Sequence, residues 1–263
     1  IEAGKAAYIP CGHDYMGAPE QLPIEWVLQE LKIVLEDEHK IKIGQNLKYD
    51  YEVLKNMDIT LRGIVTCIRH FGPEKARQTV HCAAETVGNF IVGFGIAGDE
   101  KVGAPKDFLW SFDAAREAGL RLTAHAGEWG GPESVRAAIQ DLGVERIGHG
   151  VRAIEDLALV DEIAEREIVL EICPGSNVAL GLYPTFREHP IGEMFHRGVK
   201  VTVSTDDPPF FHTTMKREYD MLNQAFDWDE GVFHTIAKTS INAAFCDQDT
   251  KTRIAKRLEQ GHD

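Results

Sequence analysis

The chain has 263 residues, 43% of them hydrophobic, and a formal net charge of −14. That length and apolar content suit one large domain or two small ones with a full core, and no apolar run approaches the ~20 residues of a membrane span. The acidic balance argues against nonspecific binding to nucleic acid or to an anionic membrane, since both carry the same sign of charge.

The chain begins at Ile1, not at an initiating methionine, so a truncated or processed protein is expected. Residues 5–10 read as a strand. Pro23 opens a helix over about 24–38, with Trp26, Val27, Leu31, Val34 and Leu35 on one face. A short strand at 41–44 and a helix at 46–57 follow, and 61–69 is a third strand. From Pro73 the rhythm becomes regular. A helix runs from Pro73 until Gly88 stops it, a strand covers 90–95, and a helix covers about 107–118 up to Gly119. The next strand, 120–124, delivers His125 at its end, and Pro132 opens a helix that Gly143 closes. A strand ending in Gly148-His149-Gly150 precedes a helix over about 154–166. Residues 168–173 form a strand broken by Pro174-Gly175-Ser176-Asn177, and a short helix near 190–197 leads into the strand 200–204. The tail from about 213 to 258 reads as helical.

Strands alternating with helices through short loops predict a parallel sheet. Eight strand candidates in a chain of this length predict an α/β TIM-type (β/α)8 barrel. The runner-up is an open doubly wound sheet, but no Gly-x-Gly-x-x-Gly follows any strand, and the chemistry is spread over several strand ends. The five cysteines, Cys11, Cys67, Cys82, Cys173 and Cys246, are scattered and form no Cys-x-x-Cys pair. Reduced thiols in a cytoplasmic protein are expected.

Three strand ends carry chemistry-bearing side chains: Thr123-Ala124-His125-Ala126-Gly127-Glu128, Gly148-His149-Gly150, and Ser204-Thr205-Asp206-Asp207-Pro208. A neutral imidazole is a good zinc ligand, and a carboxyl group beside it can move protons to and from metal-activated water. A lone histidine at a strand end is more often a packed residue, and an Asp-Asp-Pro is more often an ordinary acidic turn. Three such ends together favour a site, and two adjacent carboxylates repel unless a metal or substrate contacts them.

From about Thr66 to Leu258 the chain resembles the adenosine deaminase family of metal-dependent barrel hydrolases. Beside the three strand ends, the resemblance rests on Cys67-Ile68-Arg69-His70, Gly95-Ile96-Ala97-Gly98-Asp99-Glu100 and Cys173 to Leu180. It implies Zn2+ as cofactor, with His125 and Asp206 as ligands, and hydrolytic deamination of adenosine to inosine. It further implies Glu128 as proton donor to the ring nitrogen N1 and His149 as the residue that orients the attacking hydroxide. Gly98 and Asp207 would contact the purine at N3 and N7. The implied partner is a small-molecule purine nucleoside, with adenine open as substrate, and neither nucleic acid nor membrane.

Residues 1–63 instead resemble part of the proofreading exonuclease domain of DNA polymerase I, through Ala6 to Pro10, His13-Asp14-Tyr15, Gly44 to Asp50 and Leu61 to Ile64. Asn46 and Asp50 match its middle acidic motif, and the other two acidic motifs are absent. A two-metal nuclease site needs several carboxylates, so this segment is expected to be inert as a nuclease. The deaminase resemblance calls for a first strand ending in His-x-His, and the sequence contains no His-x-His. The chain therefore looks chimeric, with an exonuclease-like segment at 1–63 in place of two strand–helix units and a deaminase-like barrel portion at 64–263. Cys11 and His13, spaced Cys-x-His after the first strand, are candidate substitute metal ligands, and His70 is a weaker one. An inactive barrel without metal is the alternative reading, and a DNA-binding module is the third.

Overall fold

The computed structural model describes residues 60–260. Six strands form one sheet: β1 (Gly63–Ile68), β2 (Ile91–Ala97), β3 (Arg121–Ala126), β4 (Arg146–His149), β5 (Val169–Ile172) and β6 (Lys200–Val203). Their spatial order is their chain order, and every neighbouring pair is parallel. A doubly wound sheet reverses its order at a switch point, and no reversal occurs among the described strands. The described strands form the wall of an α/β fold of the TIM-barrel type, as the strand–helix rhythm predicts. The expected strands at 5–10 and 41–44, the helices at 24–38 and 46–57, and the candidates Cys11 and His13 lie outside the described residues.

Helices follow the strands: α1 (Gly72–Glu85), α2 (Leu109–Glu117), α3 (Pro132–Ala137), α4 (Leu157–Glu165), α5 (Pro174–Ala179), α6 (Ile191–His196), α7 (Pro208–Phe211), α8 (Met215–Phe226), α9 (Glu230–Ala243) and α10 (Gln248–Gln260). Most pack an apolar stripe inward, while α10 buries no residue. On α1 the buried residues are Ala76, Val80 and Ala83, spaced four and three apart on one helical face. Along β3 burial alternates, with Leu122, Ala124 and Ala126 inside. The core runs through Phe94, Phe108, Phe112, Ile147, Leu170 and Val201, all at most 1% exposed. Phe94 meets Phe112 edge-on at 5.3 Å between ring centroids, a favoured aromatic geometry.

The structure corrects several expected boundaries. The helix expected from Pro132 to Gly143 is α3 followed by a wider π turn over Ala138–Leu142, ended by Gly143 at φ 60°. The helix expected at 154–166 begins as a 3-10 turn, Val151–Glu155, and restarts at α4, where the Asp156 carboxylate accepts from the Ala158 and Leu159 N–H groups. The tail is three helices. Asp227, at φ 55°, and the Asp229 cap separate α8 from α9.

Candidate active site

The carboxyl ends of β3 and β4 place two imidazoles side by side. The register pairs His125 with Gly148 and Ala126 with His149, so the two rings meet edge-to-face at 4.6 Å. The next position after β4, Gly150, has φ 66°, and a Cβ there would lie 2.7 Å from Leu170 Cδ2. His149 itself has φ 63°, outside the usual range for a side chain with a Cβ.

Glu128 lies between the two rings. It follows Gly127, whose φ of 75° and whose approach to Val135 Cγ2, 2.3 Å from a built Cβ, admit only glycine. That bend brings Glu128 Oε2 to 3.1 Å from His125 Nε2 and Oε1 to 3.7 Å from His149 Nδ1. Glu128 and His149 are each 5% exposed. Burial alone pulls the His125 pKa down, but the Glu128 hydrogen bond and charge, with Glu100 behind them, outweigh it and raise it. At His149 burial dominates, and the neighbouring His125 adds to it, so its pKa is lowered despite Glu128 and Asp206.

The loop that carries Glu128 is tied down by Glu100, whose side chain is fully buried. Its carboxylate accepts from the N–H groups of Gly127 at 2.6 Å, Glu128 at 2.9 Å and Trp129 at 3.0 Å, and from the Ser134 hydroxyl. Burial pushes this carboxyl up, but the Ser134 and backbone hydrogen bonds prevail and hold it below the ordinary carboxylate value. Behind His125, the buried Arg69 donates to the His125 carbonyl at 3.1 Å and to the Gly103 carbonyl at 3.2 Å.

Asp206 lies past the end of β6, exposed, at φ 58°. Its Oδ2 accepts from Ser176 Oγ at 2.8 Å. Ligating atoms cluster in two groups, each within 4.8 Å: His125, Glu128 and His149 in one, and His149, Cys173 and Asp206 in the other. His149 is common to both. His125 Nδ1 is buried without a hydrogen-bond partner among the described residues. Imidazole nitrogen, carboxylate oxygen and sulfur are the donors zinc takes, and a partner such as Ser176 on a carboxylate is typical of a supported ligand. The donor set fits a zinc-type ion. Cys173 is its weakest member, because burial first and the surrounding carboxylates next push the thiol well up.

The remaining expected residues are less concentrated. Gly98, at φ 100°, lines a cavity of about 360 Å³ with Asp99, Lys101, His125, Glu128 and Trp129. Asp207 is exposed, precedes α7, and belongs to neither ligand cluster. His70 is exposed and packs beside Gly98, 2.9 Å from where a Cβ would stand. A larger cavity, about 440 Å³, lies at the opposite end of the strands, lined by Arg121, Arg146, Val169 and Lys200. Its cations are paired, Arg121 with Glu145, Arg146 with Glu171 at 3.1 Å and Lys200 with Glu167 at 2.7 Å. Barrel chemistry belongs to the carboxyl end.

Sequence reasoning missed Glu100, Asn177 and His189. Glu100 closes the quoted stretch Gly95–Glu100, two residues beyond Gly98, the position in it that was given a role. Asn177 is fully buried and His189 is 2% exposed. A histidine just before Pro190 at a helix start was the available signal, and it looks like an ordinary loop residue.

A parallel wall of the barrel type thus carries imidazole, carboxylate and thiol groups together at its carboxyl ends. A model described as Adenosine deaminase matches residues 50–261, and the chain belongs to that family. A model described as 3'-5' exonuclease matches residues 1–70. An adenine deaminase from Chelativorans sp. (strain BNC1) is 48% identical over 201 residues, covering 76% of this chain and 62% of that protein. One from Rhizobium leguminosarum bv. trifolii is 46% identical over 200 residues, with the same shares of the two chains. The chain thus spans about 62% of the length of these relatives. Among solved structures, an adenine deaminase from Arthrobacter aurescens superposes with a TM-score of 0.76 at 27% identity, covering 81% of this chain and 65% of that one. An amidohydrolase from Burkholderia ambifaria with bound Zn gives 0.75 at 27% identity, covering 81% and 60%. Among the described residues no helix is long and apolar enough to cross a membrane.

Proposed function

We propose that the chain carries the site of a metal-dependent purine deaminase, acting on a 6-aminopurine and water to give the 6-oxopurine and ammonia. The observation that carries this reading is Glu128 held between His125 and His149 on a cavity at the strand ends. The relatives named adenine deaminase support the free base adenine as the first substrate to test, with adenosine, expected from the sequence, as the second.

In this reading Glu128 delivers a proton to ring N1, which breaks the aromaticity that protects C6. The buried His149 orients the attacking water by hydrogen bonding. Gly98 offers its backbone N–H to N3 and Asp207 takes N7. Zinc, when bound, lowers the pKa of that water toward neutrality. His125 and Asp206 would hold it, with Cys11 and His13 as candidates for the ligands that the missing His-x-His would supply. Residues 64–263 are the deaminase-like barrel portion, and 1–63 an exonuclease-like segment without nuclease activity.

A catalytic zinc usually has three protein ligands, and the sequence lacks His-x-His. That observation favours a second reading, an inactive barrel that binds no metal, and between the two an enzyme with impaired turnover. The test is zinc per chain by elemental analysis, alongside turnover of adenine and adenosine with and without added zinc. Bound zinc with turnover supports the deaminase. Absence of both leaves the inactive barrel. Loss of both in Cys11→Ala or His13→Ala would identify the substitute ligands.

A further inference from the structure

We infer that Asn177 and His189 are positioning residues that fix the proton of His149 on Nε2 and aim an N–H at Glu128 Oε1. The argument follows hydrogen-bond direction from a donor that cannot be reversed. The backbone N–H of Ile191 donates to His189 Nδ1 at 3.2 Å. A backbone N–H has no acceptor role, so this ring nitrogen carries no proton. His189, 2% exposed, is kept neutral by burial, with its pKa lowered to about 3. The one proton of a neutral imidazole then sits on Nε2, which lies 3.1 Å from Asn177 Oδ1 and donates to it.

With Oδ1 assigned as the acceptor, the orientation of the Asn177 amide follows. Its nitrogen must face the opposite way, and there it stands 3.3 Å from His149 Nδ1 and 3.4 Å from Glu128 Oε1. The flipped amide would set an oxygen against the Glu128 carboxylate and an N–H against the His189 N–H, two repulsive contacts in place of attractive ones. Asn177 has two amide protons and two acceptors within reach, so the set closes. His149 Nδ1 accepts, and its proton is therefore on Nε2. Glu128 Oε1 accepts the other amide proton, which ties the carboxylate to the same amide.

One backbone N–H at the start of α6 thus dictates, through two buried side chains, the tautomer of the imidazole at the end of β4, and the same amide anchors the carboxylate after β3. A bound purine would then meet an imidazole of fixed tautomer beside a carboxylate of fixed orientation, both set before substrate arrives. The catalytic consequence rests on the deaminase reading. The tautomer assignment does not.

The test uses the full chain with 15N-labelled histidine and long-range 1H–15N correlations, His149 and His189 being assigned by single substitution. The expected result is a bare Nδ1 and a protonated Nε2 on both rings. In Asn177→Asp the amide N–H becomes an oxygen, and His149 should acquire a proton on Nδ1. His189→Gln, which can still donate to Asn177 Oδ1, should preserve the His149 pattern. His189→Phe, of similar volume without a donor, should lose it. If the chain deaminates adenine, His189→Phe should lower kcat by about 10–100-fold, the range for loss of a residue that orients another, with KM little changed and His189→Gln restoring most of it. A wild-type His149 protonated on Nδ1, or an Asn177→Asp spectrum identical to wild type, overturns the proposal, and the wild-type spectrum decides even if a variant fails to fold. A wild-type chain without turnover counts against the deaminase reading and leaves the tautomers to decide this one.

Discussion

The ends of β3 and β6 carry similar chemistry, a metal-type ligand close to a second ionisable group, yet they are built differently. After β3, Glu128 is buried and hydrogen-bonded, and the loop beneath it is held by four donors to one carboxylate. After β6, Asp206 and Asp207 are exposed, and Asp206 has the hydroxyl of Ser176 on one oxygen. The β3 end is organised by the protein's own groups. The β6 end has fewer internal supports.

The largest effect should come from exchanging the two ends' key carboxylates. If the chain is a deaminase, Glu128→Gln should lose about 10²–10⁴-fold in kcat with metal content unchanged, whereas Asp206→Ala should lose metal and turnover together. Elemental analysis beside a deamination assay separates them, and a Glu128→Gln protein with normal turnover would break the contrast.

A smaller effect sharpens the β3 side. Glu100 is depressed in the fold relative to its ordinary 4.5. Its stabilisation is therefore full above about pH 4.5 and lost as pH falls through the lower folded value. Glu100→Gln should cost on the order of 1.5–3 kcal/mol at neutral pH, the value of a charge-assisted hydrogen bond. It should also flatten the acid fall of the unfolding midpoint. Thermal melts from pH 7 to 3 on both proteins would show it, and parallel pH curves would refute the role.

The smallest effect tests the β6 side. Ser176→Ala removes the one hydroxyl on Asp206 and should weaken zinc binding by about tenfold, the lower end of the range for such supports. Competition with a chelating dye reads this directly. Unchanged affinity would mean that Asp206 needs no orientation.

Much of the described fold was legible because β1 to β6 are short apolar runs punctuated by Gly and Pro, and their order follows from the rhythm alone. The helix starts at Pro73 and Pro132 were readable for the same reason, whereas Pro174 reads only as the end of a strand and in fact opens α5. The π turn at Ala138–Leu142 was not, since its apolar residues fit an ordinary helix equally well. Of the site, His125, Glu128, His149 and Asp206 could be named because each ends or closely follows a strand. Glu100, Asn177 and His189 could not, because their importance lies in partners 27, 49 and 12 residues away, contacts that no local pattern encodes.

The left-handed backbone at His149 and Asp206 has an evolutionary consequence. A residue with a Cβ in that conformation costs on the order of 1–3 kcal/mol, and glycine there would relieve it. Selection for thermal endurance alone would therefore drift toward His149→Gly and Asp206→Gly. Each step would yield a hardier fold while removing a side chain of the candidate site, so at these two positions robustness and site chemistry oppose one another.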